Sequence, residues 1–428
     1  MINKAVSLYG TVKIPGDKSI SHRSLMLSSL ANSPVVIKNF LFSADCLATA
    51  NCLRALGSRI ETDAEGNVRV QGRGLNGLRE PEDVLDAQNS GTTMRLMTGI
   101  LAAQPFFSIL TGDESLKKRP MGRVIEPLRQ MGAKIVGRQQ SRFAPLAILP
   151  GKELTGLEYQ LPVASAQVKS ALLLAHLCAR KPGTVYEPYR SRDHTERMFK
   201  AFAVPVAVSE TAVAIQPVGE LKAPPAINIP GDISSAAYWL IAASIIPHSE
   251  LTLKDVGMNP TRTGIIDVLR KMGADLTIIN ERGNGEEPVA DIVVKSASLQ
   301  AADIGPEIMP RLIDEIPIIT VAALFAEGRT TISGAAELRV KESDRLQAVV
   351  AELTKMGAKI TETADGLILT GPQKLNFAEC RSHNDHRMAM SLAVAGMAAN
   401  GVAIDQAGCV AISYPDFFAA LDLLVKRQ

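Results

Sequence analysis

The segment Ile14-Pro15-Gly16-Asp17-Lys18-Ser19 returns in the second half of the chain as Ile229-Pro230-Gly231-Asp232-Ile233-Ser234, and each copy runs into a helix rich in Ala, Ser and Leu. Such self-similarity implies two homologous halves. A second phrase divides the chain further, recurring where an amphipathic helix turns into a strand: Ala55-Leu56-Gly57-Ser58, Gln130-Met131-Gly132-Ala133, Lys271-Met272-Gly273-Ala274 and Lys355-Met356-Gly357-Ala358. Glycine at that place is the expected helix C-terminal cap. With a degenerate copy at Ala201-Phe202-Ala203-Val204 and a closing helix from Asp416 to Lys426, the chain reads as six units. Each is roughly 70 to 85 residues long, and three make a half.

Every unit also carries a nearly all-apolar helix that starts at a small or polar residue: Ser19, Gly91, Ser165, Ser234, Asp314 and Asp385. A helix apolar all round belongs in a domain interior. Stacked in parallel, three to a domain, these helices would bring their N-termini out on one face, and two such faces opposed across a cleft would trap anions. Ordinary N-capping explains any single start equally well. Candidate strands at 67–71, 148–149, 212–216, 292–294 and 367–369 alternate with the helices. The expected fold is α/β, two similar lobes with sheets outside and helices inside. The first lobe spans 18–226, the second is 227–428 joined by 1–17, and the Pro/Gly-bearing crossings at 14–18 and 223–229 are the expected hinge.

Composition narrows the partners. A chain of 428 residues exceeds one ordinary core. Its 46 basic and 44 acidic residues give a net charge of +2, too little for a broad field toward nucleic acid or an anionic membrane, so any anion site is local. Five cysteines, odd in number and without a C-x-x-C pair, read as reduced thiols of a cytoplasmic protein. Met1 to Gly16 lacks the apolar stretch of a signal peptide. The longest apolar runs, 316–326 and 388–399, fall short of the ~18 residues of a membrane span.

Charged motifs sit at the helix starts. Lys18-Ser19-Ile20-Ser21-His22-Arg23 puts Lys18 on a turn, Ser19 at the expected N-cap and Arg23 one turn on, an arrangement for phosphate; no G-x-x-x-x-G-K-[ST] loop occurs. The basic run from Lys117 to Arg123 is either solvated or functional, and Ser165-Ala166-Gln167-Val168-Lys169 either caps a helix or offers donors to a phosphate or a sugar hydroxyl. Asp314-Glu315 is a capping pair or a catalytic one. Lys341 and Arg345, at i and i+4 with Glu342 beside them, form a surface network or set up acid–base chemistry. His383-Asn384-Asp385-His386-Arg387 opens the last apolar helix, and its histidine spacing is not that of a zinc helix. No metal or cofactor is expected.

Taken together and in order, these stretches resemble the 5-enolpyruvylshikimate-3-phosphate synthase family over nearly the whole chain. Lys18, Ser19 and Arg23 match its K-S-x-S-x-R element, Asn89 to Arg95 its glycine loop with Gly91, and Arg119 in Arg119-Pro120-Met121-Gly122 its carboxylate-binding arginine. Ser165, Ala166 and Gln167 match its shikimate phosphate contacts, and Ser191-Arg192-Asp193-His194-Thr195-Glu196 resembles the version of many bacterial members, whose arginine meets that phosphate. Asp314, Lys341, Glu342, Arg345, His386 and Arg387 fall on the remaining site motifs.

The resemblance implies two lobes of three βαβαββ units, an inside-out α/β barrel closing on ligand. It implies addition–elimination between phosphoenolpyruvate and shikimate 3-phosphate, with Asp314, Glu342 and Lys18 catalytic. Shikimate 3-phosphate would meet Lys18, Ser19, Arg23, Ser165, Ala166, Gln167, Arg192, Asp314 and Lys341. Phosphoenolpyruvate would meet Lys18, Gly91, Arg119, Gln167, Arg345, His386 and Arg387. Neither nucleic acid nor membrane is an expected partner, and the chain is expected to be a monomer. Two departures stand out, Ile412 in place of a family Lys and Glu337 in place of an Asn. The sister transferases acting on UDP-N-acetylglucosamine typically carry a Cys before the R-P motif, and Asp113 to Arg119 has none. Gly91, with Leu96 where highly glyphosate-sensitive members have Pro, implies intermediate sensitivity to glyphosate.

Overall fold

The computed structural model describes residues 1–151, 153–283 and 287–426. The chain forms an α/β fold of two compact units, one of Gly16–Ile229 and one of Met1–Pro15 with Pro230 onward. Among the described residues the first holds six helices of eight residues or more: α1 (Lys18–Ser29), α2 (Ala44–Ala55), α3 (Gly91–Leu101), α4 (Gly122–Gln130), α5 (Ala166–His176) and α6 (His194–Ala201). The second also holds six: α7 (Ile233–Ile245), α8 (Gly264–Lys271), α9 (Ile316–Phe325), α10 (Arg345–Lys355), α11 (His386–Ala398) and α12 (Phe417–Leu424). None is long and apolar enough to cross a membrane.

Odd-numbered helices are the interior ones. Hydrophobic residues cover every side of α7 and α9, so no face is left to turn toward water, and both are buried along nearly their whole length. Even-numbered helices bury one stripe, as α8 does with Ile265, Ile266, Val268 and Leu269 while Asp267, Arg270 and Lys271 stay exposed. Helix α1 departs from the all-apolar expectation: Ser21, His22, Arg23, Ser24, Ser28 and Ser29 are buried with Leu25, Met26 and Leu27. Each unit closes around its own hydrophobic core.

The sheets repeat one plan, a parallel pair extended by two antiparallel strands. Leu85–Asp86 and Ser108–Thr111 run parallel, followed by Phe143–Leu149 and Lys134–Gly137. Glu158–Gln160, Gly183–Tyr186, Ala212–Ile215 and Val206–Val208 follow suit, as do Asp303–Ile304, Gly328–Ile332, Leu367–Gly371 and Ile360–Glu362.

Where the chain passes between units, the leading strands are exchanged. Ser7–Lys13 precedes α1 but pairs in parallel with Glu250–Gly257, Tyr9 opposite Glu250, whereas Ala226–Asn228 precedes α7 but pairs in parallel with Val35–Lys38. Residues 16–17 and 227–229 therefore go with α1–α6, and the passages fall after Pro15 and after Ile229 rather than after 17 and 226. The last sheet is a parallel pair, Glu379–Arg381 with Ala403–Asp405, and Val425–Lys426 instead lines up antiparallel to Ser7–Lys13.

The recurring glycine phrase acts as a helix stop. After α2, α4, α8 and α10 the residues Gly57, Gly132, Gly273 and Gly357 take φ of 93°, 105°, 80° and 96°. A paired backbone closure follows each, as in Gly57 N–H to Arg54 O and Ser58 N–H to Leu53 O after α2. Ala203 makes the same two closures after α6, through its own N–H to Lys200 O and Val204 N–H to Phe199 O, at φ 56°. An L-residue with a Cβ pays about 1 kcal/mol or more in that region, which glycine does not. Ala203→Gly is thus expected to raise stability by about 1 kcal/mol, read as a higher urea midpoint for Gly16–Ile229; an unchanged or lower midpoint would count against the assigned backbone.

Candidate functional site

Unit Gly16–Ile229 gathers cations at its helix starts. Asp17 caps α1 by accepting from the Ile20 N–H, which places Lys18 and Ser19 in the first turn and corrects the expected Ser19 cap. Lys18 Nζ lies 3.1 Å from Oδ2 of Asp45 in the first turn of α2. Arg23, one turn further, is only 4% exposed. Its guanidinium donates to Thr195 Oγ1 (2.7 Å), to Ser170 Oγ (2.7 Å) and to the Ser19 carbonyl (2.9 Å), joining α1 to α5 and α6.

Ser90, not Gly91, caps α3, accepting from the Thr93 N–H. A methyl group on Gly91 would stand 2.8 Å from Nη1 of Arg95 and 3.4 Å from Nη1 of Arg119, so two guanidinium groups flank the bare Cα. Arg119 follows a short turn at Leu116–Lys118 and donates to Oδ1 of Asn89 at 2.8 Å. Arg95 donates to Oε1 of Gln167 (2.6 Å), whose amide donates to Thr92 Oγ1 (3.0 Å). Gln167 thereby ties the start of α5, capped by Ser165 and opened by Ala166, to the start of α3. Arg192 is half-buried just before α6.

Beneath these groups lies a buried ion triad. Lys169 Nζ meets Glu187 Oε1 at 2.8 Å and Glu196 Oε1 at 2.7 Å, with all three side chains at most 3% exposed. Burial works against the ammonium charge, but Glu196 and Glu187 outweigh it and hold the lysine above its ordinary pKa. Glu187 also accepts from the Ser191 N–H (3.1 Å) and the Ser191 hydroxyl (2.6 Å), fastening the segment that carries Arg192.

In the other unit the cluster is built on one arginine. Arg345 opens α10, is 1% exposed, and donates to Oδ2 of Asp385 (2.7 Å), Oδ1 of Asp314 (3.1 Å) and Oε2 of Glu342 (2.6 Å). Burial opposes its charge, yet Asp385, Glu342 and Asp314 drive its pKa well above the ordinary value. Asp314 also lies 3.6 Å from Lys341 Nζ and 3.8 Å from Nη2 of Arg387, so three cations converge on one carboxylate. Arg387 further approaches Glu315 at 3.9 Å. Glu315 accepts from the Ser234 hydroxyl, which also takes a bond from Arg262 at 2.8 Å. His386, buried, sits beside Arg387 in the first turn of α11.

Two expected placements need correction. Lys341 is not on the helix of Arg345: it ends a turn at Ala336–Val340 in extended conformation, and Asp344 caps α10. Asp314 lies in a separate short turn before α9, which begins at Ile316. Lys341 and Arg345 converge through Asp314 rather than through helical spacing. The departures Glu337 and Ile412 lie in short turns of the same unit.

Sequence reasoning did not single out Asp45, Arg95, Ser170, Thr195 or Asp385 as partners. Ser170 and Thr195 are ordinary hydroxyl residues in their helices, and only tertiary packing aims them at Arg23. Asp385 had a signal, since a capping Asp directly before His-Arg also faces whatever cation the fold supplies. Among the described residues no group of three or more His, Cys, Asp or Glu could hold a metal ion.

Comparison with known proteins agrees along the chain. Residues 2–421 match the family model described as EPSP synthase (3-phosphoshikimate 1-carboxyvinyltransferase). The chain is 54% identical over 424 residues to the 3-phosphoshikimate 1-carboxyvinyltransferase of Desulforudis audaxviator, covering 99% of this chain and 98% of that one. It is 55% identical over 419 residues to the protein of that name from Thermosynechococcus vestitus, covering 97% and 94%. Among solved structures, the EPSP synthase of Acinetobacter baumannii superposes with a TM-score of 0.88 at 43% identity, covering 99% of this chain and 97% of that one. The enolpyruvyl transferase NikO of Streptomyces tendae shares the fold, with a TM-score of 0.78 at 16% identity, covering 99% and 96%.

Proposed function

The chain belongs to the EPSP synthase (3-phosphoshikimate 1-carboxyvinyltransferase) family, and on that footing we infer that it transfers the enolpyruvyl group of phosphoenolpyruvate to the 5-hydroxyl of shikimate 3-phosphate. The observation that carries this reading is the match of residues 2–421 to that family. It is a transferase of the shikimate pathway.

The residue roles are our proposal. Asp314, held among Lys341, Arg345 and Arg387, accepts the proton of the 5-hydroxyl as its oxygen attacks C2 of phosphoenolpyruvate. Glu342, with Lys18, delivers a proton to the methylene carbon. The tetrahedral adduct then expels phosphate, and loss of a methyl proton restores the double bond. Lys18, Gly91, Arg119, Gln167, Arg345, His386 and Arg387 receive phosphoenolpyruvate. Lys18, Ser19, Arg23, Ser165, Ala166, Gln167, Arg192, Asp314 and Lys341 receive shikimate 3-phosphate. Cations fixed in advance around developing negative charge are the main source of rate, because they need not reorganise during the reaction. No redox cofactor enters this chemistry.

The finer fold reading, three βαβαββ units per lobe with helices inside and sheets outside, is supported by the recurring sheet plan and the buried odd-numbered helices. We propose a cytoplasmic monomer; the five cysteines are free thiols. The test is phosphate release from phosphoenolpyruvate with each acceptor: shikimate 3-phosphate should support turnover and UDP-N-acetylglucosamine should not. The opposite preference would overturn the substrate assignment.

Gly91 supplies a prediction on inhibition. An added methyl would press only on the far ends of Arg95 and Arg119, which can move, so the fold should lose no more than about 0.5 kcal/mol. The same methyl fills the space between two guanidinium groups where we place the phosphoenolpyruvate anion. Gly91→Ala should therefore remove most inhibition by glyphosate, whereas the wild type is inhibited competitively with phosphoenolpyruvate. Unchanged glyphosate potency would show that this helix start does not line the phosphoenolpyruvate subsite.

A further inference from the structure

We infer that His22, Thr49, Thr93 and Ser90 form a directed hydrogen-bond line that positions the helix starts bearing Lys18 and Gly91, making Thr49 and His22 positioning residues for the reaction. The inference rests on the function proposed above. Helices α1 and α2 face each other through two rungs one turn apart: Lys18 with Asp45 at 3.1 Å, then His22 Nδ1 with Thr49 Oγ1 at 2.7 Å. Each rung joins residues at i and i+4 of its helix, so the second braces the first. From Thr49 the line crosses to α3, with Oγ1 of Thr49 and Thr93 2.7 Å apart, and ends where the Thr93 hydroxyl donates to Ser90 Oγ at 2.7 Å. Ser90 is the residue that caps α3 and precedes Gly91. None of the four side chains has measurable exposure.

The line has a sense. His22 Nε2 is buried without a hydrogen-bond partner. An orphaned N–H in the interior is rarer and costlier than a bare acceptor lone pair, so the proton belongs on Nδ1. Nδ1–H then donates to Thr49, Thr49 to Thr93, and Thr93 to Ser90, so the two threonine hydroxyls each take one bond from the line and pass one on, Ser90 Oγ accepts at its end, and the Asp45 carbonyl lies farther from Thr93 Oγ1, at 3.4 Å. The ring also stays neutral, since burial, then Lys18 and Arg23, hold His22 well below the ordinary histidine pKa. Removing either threonine hydroxyl breaks two bonds in the buried interior and leaves the ends of α1 and α3 free to shift against each other.

The experiment has two readouts. In protein labelled with 15N at histidine, the His22 signal, identified by its loss in His22→Asn, should show a neutral ring protonated at Nδ1. A ring protonated at Nε2, or charged at neutral pH, overturns the inference whatever the enzyme's substrates are. In steady-state kinetics, Thr49→Val should raise KM for phosphoenolpyruvate roughly tenfold, as expected for a binding group displaced by a fraction of an ångström, and lower kcat as well through the shift of Lys18. Thr49→Ser, which keeps the hydroxyl, should return KM to within about twofold of the wild type. A purely structural role would lower thermal stability and leave the KM of the folded variant unchanged, which also overturns the inference. Should Thr49→Val not fold, Thr93→Ala and Thr93→Ser make the same comparison from the other end of the line. A wild type that releases no phosphate would instead defeat the functional reading, and the tautomer measurement would still judge the line.

Discussion

Asp314→Asn is expected to cut turnover by roughly 10²-fold or more, the usual scale for losing a general base, while binding of shikimate 3-phosphate persists. The amide keeps the shape of the carboxylate and an oxygen for Arg345 and Lys341, which approach Oδ1 at 3.1 and 3.6 Å. It cannot accept the substrate proton. Calorimetry would report retained affinity and a phosphate assay the lost rate; turnover near normal would remove Asp314 from the mechanism. Glu342→Gln gives the informative contrast. Its 2.6 Å contact with Arg345 is also what an ordinary i, i+3 ion pair looks like. A loss of about 10²-fold there supports proton transfer by Glu342, and turnover within a few-fold of normal reduces Glu342 to an ion-pair partner.

Lys169→Met should destabilise Gly16–Ile229 by about 3–5 kcal/mol, because it strands two carboxylates in the interior without their shared cation. Glu187 and Glu196 are 2% and 3% exposed, so water cannot take the place of the ammonium. The pH range follows from the direction of the lysine's shift. Its folded pKa lies above the unfolded value, so the contribution is fully present below an unfolded lysine's pKa of about 10.4 and fades only as pH climbs through the folded value. Urea unfolding across neutral pH should therefore show a constant deficit, and adding Glu187→Gln should recover part of it. A variant as stable as the wild type would mean the triad is hydrated in solution.

Legibility from sequence followed the range of the interaction. The glycine stops could be read because a positive φ dictates residue type locally; Ala203 shows the same backbone persisting where the letter changes. The cap of α1 was misplaced at Ser19 because Asp17 caps as readily, and only the backbone at Asp17, with φ −59° and ψ 124°, decides between them. Of the partners of Arg345, only Glu342 is a near neighbour in sequence, three residues back in the bend before α10. Asp314 and Asp385 lie 31 and 40 residues away and meet it only through the packing of α9, α10 and α11. Arg23 is a stronger case, with hydroxyl partners 147 and 172 residues distant. The cations themselves were legible, since a charged residue leading into a buried run must find a partner; which partner was not.

The exchanged leading strands also order events during synthesis. Gly16–Ile229 is one continuous stretch and has every strand of its sheets once Ile229 has left the ribosome. The other unit is split. Ser7–Lys13 emerges before Gly16–Ile229 but has no place until Glu250–Gly257 is made, and its second neighbour, Val425–Lys426, is made later still. Closing so long a loop is slow, so Ser7–Lys13 waits unpaired while a whole unit folds behind it. A fusion partner at Met1 would hang on a segment that waits for its neighbour, and would burden the split unit while sparing the continuous one.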